Sequence, residues 1–193
     1  MAGLQLIVGL GNPGAEYEET RHNAGFRFVA ALAQSYGCVL AYESRFKGSV
    51  GRCRIGNQDV LVLTPVTFMN RSGESVGALT RFYKIDPEAV LVVHDELDLP
   101  LGAVRLKQGG GTGGHNGLAS IQQWLGSQAF ARLRLGIGRP PAGRDVIGYV
   151  LGRGTRSEAQ ALDDAIGRAL EEMPGTVAGD WQRVMSRLHT GSA

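Results

Sequence analysis

The sequence predicts an α/β protein in which a central, mixed and twisted β-sheet is flanked by α-helices. Short apolar runs typical of buried strands alternate with segments of helical periodicity along the 193 residues. Two of these runs, separated by Gly-Asn-Gln-Asp, predict a β-hairpin and therefore an antiparallel part of the sheet. Because no repeat, low-complexity tract or linker divides the chain, we expect a single domain spanning residues 1–193.

The first half of the chain predicts three strands and two helices. The apolar run at residues 4–10 indicates a buried strand. Apolar side chains at helical spacing predict a helix over Ala24–Tyr36, which Gly37 would end. The hairpin comprises residues 47–55 and 60–63, and helical spacing then continues over residues 67–83.

The second half predicts three more strands and three more helices. The strands cover residues 90–93, 104–107 and 133–137, and the helices cover residues 118–125, 155–173 and 177–188. The strand at 90–93 is expected to end at His94 and Asp95. Thr155 followed by Glu158 is the pattern of a capping box, which marks the start of the helix that runs to Met173.

Charge, cysteine spacing and apolar runs limit the classes of function that the chain can have. A formal net charge of +2 is too small to indicate nucleic-acid binding by itself, although the excess of arginine over lysine suits phosphate contacts. Cys38 and Cys53 lack metal or redox spacing, so they predict buried thiols and a reducing compartment. Residues 1–5 lack a basic region followed by a long apolar core, so we expect no secretory signal, and no apolar run approaches the length of a membrane span.

The glycine turn at residues 9–14, GLGNPG, follows the first predicted strand and matches the dinucleotide fingerprint G-x-G-x-x-G. That fingerprint requires an apolar helix directly after the turn and an acidic residue about 20 positions later. Here three glutamates within residues 16–19 would repel a pyrophosphate, and no acid stands at the required distance. A nucleotide-dependent oxidoreductase is therefore the weaker interpretation, and we expect the turn to present Asn12 and His22.

Three polar clusters fall in predicted loops or at strand ends, where α/β proteins usually build their sites. These clusters are Asn12, Tyr17, His22 and Asn23; residues 67–73; and residues 94–98 with 107–117. His22 and Asp95 form the most informative pair, because a carboxylate can hold an imidazole in one tautomer and make it a general base. The alternative is that His22 caps a helix or is partly buried, and that Asp95 caps a turn.

Structural roles also compete with functional roles elsewhere. Asn70 and Asn116 each stand where they could be the N-cap of a helix, and Phe68 could belong to the core. A metal site would use His22, His94, Asp95 and His115, but no two of these histidines share a close spacing, so no metal is expected. The sequence also lacks G-x-S-x-G, which favours activated water over a side-chain nucleophile.

Six motifs follow one another in a specific order along the chain. They are GLGNPG, TRHNAG, PVTFMNRSG, HDELDLPLG, RLKQGGGTGGHNGL and FARLRLGIGRP. This order resembles that of bacterial peptidyl-tRNA hydrolases, and the resemblance extends from about residue 4 to residue 188. It implies an enzyme that cleaves the ester joining a peptide to the 3′-terminal ribose of tRNA, and that recycles tRNA from peptidyl-tRNA lost by ribosomes. The core motif residues are all present, and Val66 is a mild departure at a position without a polar role.

The resemblance also implies roles for individual residues. His22 would be the catalytic base, Asp95 would keep that base in its proton-accepting form, and Asn12 would discriminate blocked from free aminoacyl-tRNA. The implied substrate contacts are Tyr17, Phe68, Asn70 and Asn116, and the implied contacts to tRNA phosphates are Lys107 and Arg134.

The resemblance further implies a cytoplasmic monomer that needs no cofactor or metal and does not bind a membrane. Residues 140–154 are rich in glycine, proline and arginine, and we expect them to form a mobile lid beside the peptide-binding groove. A non-catalytic RNA-binding relative and a metal-dependent hydrolase are the remaining alternatives. The intact set of histidine, aspartate and asparagines argues against the former.

Overall fold

A mixed β-sheet of seven strands organises residues 3–190, the part of the chain that this computed structural model describes. The strands are β1 (Leu6–Gly9), β2 (Ala41–Glu43), β3 (Gly48–Ile55), β4 (Gln58–Pro65), β5 (Val90–Glu96), β6 (Val104–Gln108) and β7 (Ala131–Gly136). Their order across the sheet is β2-β3-β4-β1-β5-β7-β6. The predicted α/β class and mixed sheet are confirmed.

The centre of the sheet is parallel and its two margins are antiparallel. Strands β4, β1, β5 and β7 run in the same direction, with Leu6 of β1 opposite Leu61 on one side and Val90 on the other. The β3–β4 hairpin and strands β2 and β6 supply the antiparallel pairs. Because parallel strands share an orientation, the carboxyl ends of β4, β1 and β5 meet at one edge of the sheet.

Helices cover both faces of the sheet. They are α1 (Ala24–Tyr36), α2 (Ser72–Tyr83), α3 (Asn116–Leu125), α4 (Val146–Val150), α5 (Arg156–Glu171), α6 (Met173–Ala178) and α7 (Trp181–Thr190). Helices α1, α5, α6 and α7 contribute to one apolar cluster, and α2 and α3 contribute to the other. Within residues 3–190, no helix combines the length and apolar character needed to cross a bilayer.

The first strand shows how the sequence pattern builds two cores. Its residues alternate between the two apolar clusters, since Ile7 packs with α1 and its neighbours whereas Leu6 and Val8 pack with α2 and α3. Gly25 lets α1 approach this strand closely, because a Cβ there would overlap backbone atoms of Leu10 and Val93. This close approach places the start of α1 against the end of β1.

Several predicted boundaries are wrong by a few residues, and two elements, strand β2 and helix α4, were missed. Strand β5 continues through His94 and Asp95, because the backbone of these two polar residues still pairs with β7. The helix predicted at 177–188 is two helices, since Gly179 ends α6 in the left-handed conformation. Strand β2 was not predicted, since it is three residues long and lies at the edge of the sheet, where apolar patterning is weak.

The two cysteines form a disulfide, so the prediction of buried free thiols is wrong. Cys38 follows α1 and Cys53 lies in β3, yet their Cα atoms are 5.3 Å apart, within the range that a disulfide requires. Motif spacing could not reveal this pair, because the packing of α1 on the sheet brings the two residues together. The cysteines therefore do not support a reducing compartment.

Candidate active site

The polar clusters predicted from sequence meet at the carboxyl edge of the parallel strands. Asn12 follows β1, the 3-10 turn Met69–Arg71 follows β4, and Asp95 is the second-last residue of β5. These three strands are neighbours in the sheet, so residues far apart in sequence come together. The glycine turn leads into a short 3-10 turn at Ala15–Tyr17, rather than into the long helix that a dinucleotide site requires.

His22 and Asp95 are directly hydrogen bonded, as the sequence predicted. Nδ1 of His22 lies 2.9 Å from Oδ2 and 3.0 Å from Oδ1 of Asp95. The His22 side chain is 11% exposed and the Asp95 side chain is 2% exposed. Because Nδ1 donates its proton to the carboxylate, the lone pair of Nε2 remains available to accept a proton.

A second imidazole, that of His115, also donates to Asp95. Nε2 of His115 lies 2.8 Å from Oδ1 of Asp95. Nδ1 of the same ring accepts the backbone N–H groups of Gly117 and Leu118, so His115 is the N-cap of α3. The cap fixes the tautomer, because a nitrogen that accepts two N–H groups carries no proton. Asn116 is the first residue of α3, so its alternative role as N-cap is wrong.

The two histidines keep the buried carboxylate ionised. Burial alone would raise the pKa of Asp95, but the electrostatic attraction and hydrogen bonds from His115 and His22 outweigh burial and hold the pKa well below its usual range. The neighbouring His94 behaves in the opposite way. Burial and the proximity of His115 lower the pKa of His94 to about 3, so this histidine is neutral.

Asn12 is held by a network that orients its side-chain amide. Its backbone N–H donates to Oδ1 of Asn23 at 2.8 Å, and Nδ2 of Asn23 donates to the Asn12 carbonyl at 3.0 Å. Oδ1 of Asn12 accepts the backbone N–H of Met69 at 2.7 Å. This last bond leaves the amide NH₂ of Asn12 as the group that a ligand can use.

The four predicted substrate contacts differ in their environments. Tyr17 and Phe68 lie together, with ring centroids 6.4 Å apart in an edge-on arrangement, and Phe68 is 56% exposed. The side chains of Asn70 and Asn116 are exposed, and neither forms a hydrogen bond to another residue within the described part of the chain. Arg71, not Asn70, immediately precedes α2, so the alternative role of Asn70 as its N-cap is wrong.

The two predicted phosphate contacts lie on adjacent strands at the far margin of the sheet. Lys107 of β6 is exposed, and Arg134 of β7 donates from Nε to Glu96 at 2.9 Å. The β6–β7 register places Arg105 opposite Arg134 and Arg132 opposite Lys107. Because residues two apart share one face of a strand, these four cations lie on the same face of the sheet.

Arg132 is a structural cation that the sequence interpretation did not single out. It is 2% exposed and stacks on Phe130, with 4.1 Å between the guanidinium carbon and the ring centroid. Its guanidinium donates to the carbonyls of Gly110, Gln128 and Phe130. Arg132 therefore anchors the start of the glycine-rich loop.

Three groups of metal-binding type meet in this site, but they do not suit a metal. Nδ1 of His22, a carboxylate oxygen of Asp95 and Nε2 of His115 lie within 4.8 Å of one another. A metal on Nε2 of His115 would require the ring proton to be on Nδ1. That proton would then face the two N–H groups that Nδ1 accepts. A metal bound there would therefore disrupt the N-cap of α3.

Two further polar residues of the site, His115 and Asn23, were named in the polar clusters, but no catalytic or substrate-binding role was predicted for either. Both are present in the motifs, GGHNG and TRHN, next to residues that were chosen. The hydrogen bond from His115 to Asp95 depends on how α3 packs against β5, which the sequence pattern does not specify. Asn23 contacts the Asn12 backbone, and sequence offers no signal for such a bond.

Comparison with known proteins identifies one family. A family model described as peptidyl-tRNA hydrolase matches residues 6–193. A peptidyl-tRNA hydrolase of Pseudomonas paraeruginosa is 54% identical over the full length of both chains. That of Neisseria meningitidis is 49% identical, covering 97% of each chain. The crystal structure of the Acinetobacter baumannii peptidyl-tRNA hydrolase superposes with a TM-score of 0.94 at 48% identity, covering 98% of this chain and 96% of that one.

Proposed function

Because the chain belongs to the peptidyl-tRNA hydrolase family, we propose that it hydrolyses the ester between a peptide, or an N-blocked aminoacyl group, and the 3′-terminal ribose of tRNA. The products are free tRNA and the peptide, and the biological role is to recycle peptidyl-tRNA lost from ribosomes. The observation that carries this proposal for the chain's own residues is the buried His22–Asp95 pair at the carboxyl edge of the sheet.

His22 acts as a general base on water in this proposal. Nε2 of His22 removes a proton from the water as its oxygen attacks the ester carbonyl, and the proton then passes to the departing ribose oxygen. The bond from the carbonyl carbon to the ribose oxygen breaks, which leaves a free hydroxyl and a carboxylic acid that then releases its proton to solvent. Asp95 stabilises the imidazolium that forms. A general base placed in this way increases the reaction rate about 10²–10⁴-fold.

Asn12 recognises the blocked amine and the reacting carbonyl. Its orientation by Asn23 and Met69 supports this role, because the remaining amide NH₂ can donate to a carbonyl of the substrate. An amide donor to a developing oxyanion contributes about 3–4 kcal/mol. Asn70 and Asn116 are exposed amides near the same edge and complete the polar lining. The aromatic pair Tyr17 and Phe68 contacts the remainder of the substrate.

The tRNA lies against the cationic face of β6 and β7. Lys107 and Arg134 contact phosphates, and the neighbouring Arg105 adds positive charge on the same face. Phosphate contacts position a nucleic acid without reading its sequence, which suits an enzyme that accepts most tRNAs.

We further propose that the enzyme is a cytoplasmic monomer of one domain and that it needs neither cofactor nor metal. If no metal is needed, the hydrolytic activity should be unchanged after exhaustive chelation.

The decisive experiment compares hydrolysis of an N-blocked aminoacyl-tRNA with hydrolysis of the unblocked form. We expect the wild type to prefer the blocked substrate strongly, and Asn12→Asp to weaken that preference, because a carboxylate replaces the amide donor. Asn57→Asp is the matched control, since Asn57 is an exposed residue of the β3–β4 turn. It should retain the wild-type preference.

His22→Ala separates an enzyme from a non-catalytic RNA-binding relative. Loss of the base should reduce kcat by at least about 10²-fold, while binding of an uncleaved analogue survives. If hydrolysis persisted near the wild-type rate, the assignment of the base would be wrong. If the wild type itself bound the analogue without hydrolysing either substrate, the proposed reaction would be wrong.

A further inference from the structure

Arg21, the residue before His22, is bonded to the end of the segment at residues 140–154. Its Nη1 donates to the carbonyl of Tyr149 at 2.9 Å. Its guanidinium also stacks on the Tyr149 ring, with 4.1 Å between the guanidinium carbon and the ring centroid. Nη2 pairs with Oε2 of Glu158 at 3.0 Å. One side chain therefore joins α4, the first turn of α5 and the 3-10 turn that carries His22.

Backbone contacts reinforce the same connection. The N–H of Arg21 donates to the carbonyl of Gly152 at 3.0 Å, and Thr20 forms an isolated β-bridge with Arg153. Space is limited here, because a Cβ at Gly152 would lie 3.1 Å from Nη1 of Arg21. The end of the segment and the turn before α1 consequently form one packed unit.

The segment is anchored at its end and exposed before it. Residues 141–148 are exposed, whereas Tyr149 is half-buried and donates from its hydroxyl to the carbonyl of Ile137 at 2.6 Å. Tyr149 is thus held by the end of the sheet on one side and by Arg21 on the other. Any displacement of this tyrosine acts on Arg21, which is covalently next to His22.

We propose that Arg21 is a positioning residue that transmits the placement of residues 149–152 to His22. The inference rests on the proposed role of His22 as the base. With Tyr149 seated, Arg21 holds the 3-10 turn so that Nδ1 of His22 stays within hydrogen-bond distance of Asp95. When Tyr149 moves away, the turn loses its anchor and the imidazole loses its alignment.

Arginine is required at this position by its shape as well as its charge. The planar guanidinium donates to Tyr149 and Glu158 simultaneously and stacks on the Tyr149 ring. A lysine ammonium retains the charge but lacks the fork and the planar stacking surface. Arg21→Lys therefore removes the coupling while it preserves the net charge of the site.

Arg27 provides a matched control on the same side of the molecule. Its Nη2 pairs with Oδ1 of Asp163 at 2.6 Å, so it also joins the start of α1 to α5. None of its hydrogen bonds or ion pairs within residues 3–190 reaches the segment at 140–154. Comparing Arg21→Lys with Arg27→Lys thus separates the anchoring of the segment from the general loss of an ion pair to α5.

The test measures kcat and KM for an N-blocked aminoacyl-tRNA, together with hydrogen exchange of residues 146–152. For Arg21→Lys we expect kcat to fall about tenfold with KM little changed, because misalignment of a base affects the chemical step. Amide exchange in residues 146–152 should also accelerate. Arg27→Lys should match the wild type in both measurements.

A second variant guards against a simple folding defect. Tyr149→Leu keeps the backbone carbonyl that Arg21 uses but removes the ring on which it stacks, so it should lower kcat in the same direction. If the wild type is active, equal kcat values for Arg21→Lys and Arg27→Lys would overturn the inference. Absence of hydrolysis by the wild type would instead contradict the proposed function, while the exchange data would still report on the anchor.

Discussion

At the scale of single residues, protonation states in the site follow from hydrogen-bond partners. Asp95 accepts from two imidazoles, and its pKa is held low although burial opposes this. His94, the preceding residue, donates from Nδ1 to the Asp95 carbonyl at 2.7 Å, and its Nε2 has no partner among residues 3–190. Adjacent residues of one strand thus hold opposite roles: one side chain is ionised and the other is kept neutral.

The neutral state of His94 predicts a loss of stability in acid. The unfolded chain binds a proton at this histidine near its ordinary pKa of 6.5, whereas the folded chain does so only near pH 3. The unfolded state therefore binds more protons below pH 6.5, and the free energy of unfolding falls as the pH decreases. This group should account for about 2 kcal/mol of that decrease between pH 7 and pH 5.

Urea unfolding of the wild type and of His94→Asn at these two pH values checks the prediction. The asparagine NH₂ group can replace the Nδ1–H that donates to Asp95, but it does not titrate. The difference in free energy between pH 7 and pH 5 should be smaller in the variant by about that amount. An identical pH dependence in both proteins would show that His94 is not the group responsible.

At the scale of elements, the N-terminus of helix α3 orients the Asp95 carboxylate. His115 accepts two amide N–H groups at the N-terminus of this helix and donates its remaining proton to Asp95. Helix α2 has no such side-chain cap, and α5 has a complete capping box formed by Thr155 and Glu158, as the sequence predicted. Of these three helices, α3 is the one whose cap is also a hydrogen-bond partner of the site.

The double role of His115 can be separated by two substitutions. In His115→Asn the side-chain oxygen can still cap α3, but the donor to Asp95 is lost, so kcat should fall about 10–100-fold and the lost hydrogen bond should cost about 1–3 kcal/mol of stability. In His115→Ala the cap is lost as well, which should cost about 1 kcal/mol of stability in addition.

Steady-state hydrolysis of N-blocked aminoacyl-tRNA and urea unfolding would measure the two effects. A wild-type kcat for His115→Asn would mean that His115 only caps the helix. Equal unfolding free energies for the two variants would mean that the cap contributes nothing.

At the scale of the whole molecule, contacts distant in sequence hold the layers together. The Cys38–Cys53 disulfide ties the end of α1 to β3 with a sequence separation of 15. Ion pairs from Arg21 and Arg27 join the start of α1 to α5. The site residues lie at the carboxyl ends of β1, β4 and β5, whereas the disulfide lies toward the β3 margin of the sheet.

Reduction of the disulfide should lower stability without affecting catalysis. Opening a closed loop of this length costs about 3 kcal/mol, chiefly because the unfolded chain gains freedom. Urea unfolding with and without dithiothreitol should show this difference in the wild type, and kcat should be the same in both conditions. The double variant Cys38→Ala with Cys53→Ala should not respond to the reductant. Loss of activity on reduction of the wild type would contradict the separation of this bond from the site.

Much of the fold was predictable because strands and helices in this chain carry strong local patterns. The bounds of α1 and the start of α5 were predicted correctly, since apolar spacing and capping residues mark them. The edge strand β2 and the break at Gly179 were not, since short elements bury too little apolar surface to leave a pattern. The pairing of His22 with Asp95 was predictable because both residues stand in recognisable motifs, TRHN and HDELD, whose resemblance to a known family implies the pair.

The sequence by itself determined the α/β class, the order of most elements, the family resemblance and the pairing of His22 with Asp95. The tertiary structure alone decided the partners that act across elements: His115 on Asp95, Arg21 on Tyr149, and Cys38 on Cys53. The reason is physical. Local patterns report which face of an element is buried. A side-chain contact between two elements depends on how those elements pack, and the residues that packing brings together have no fixed separation in the sequence.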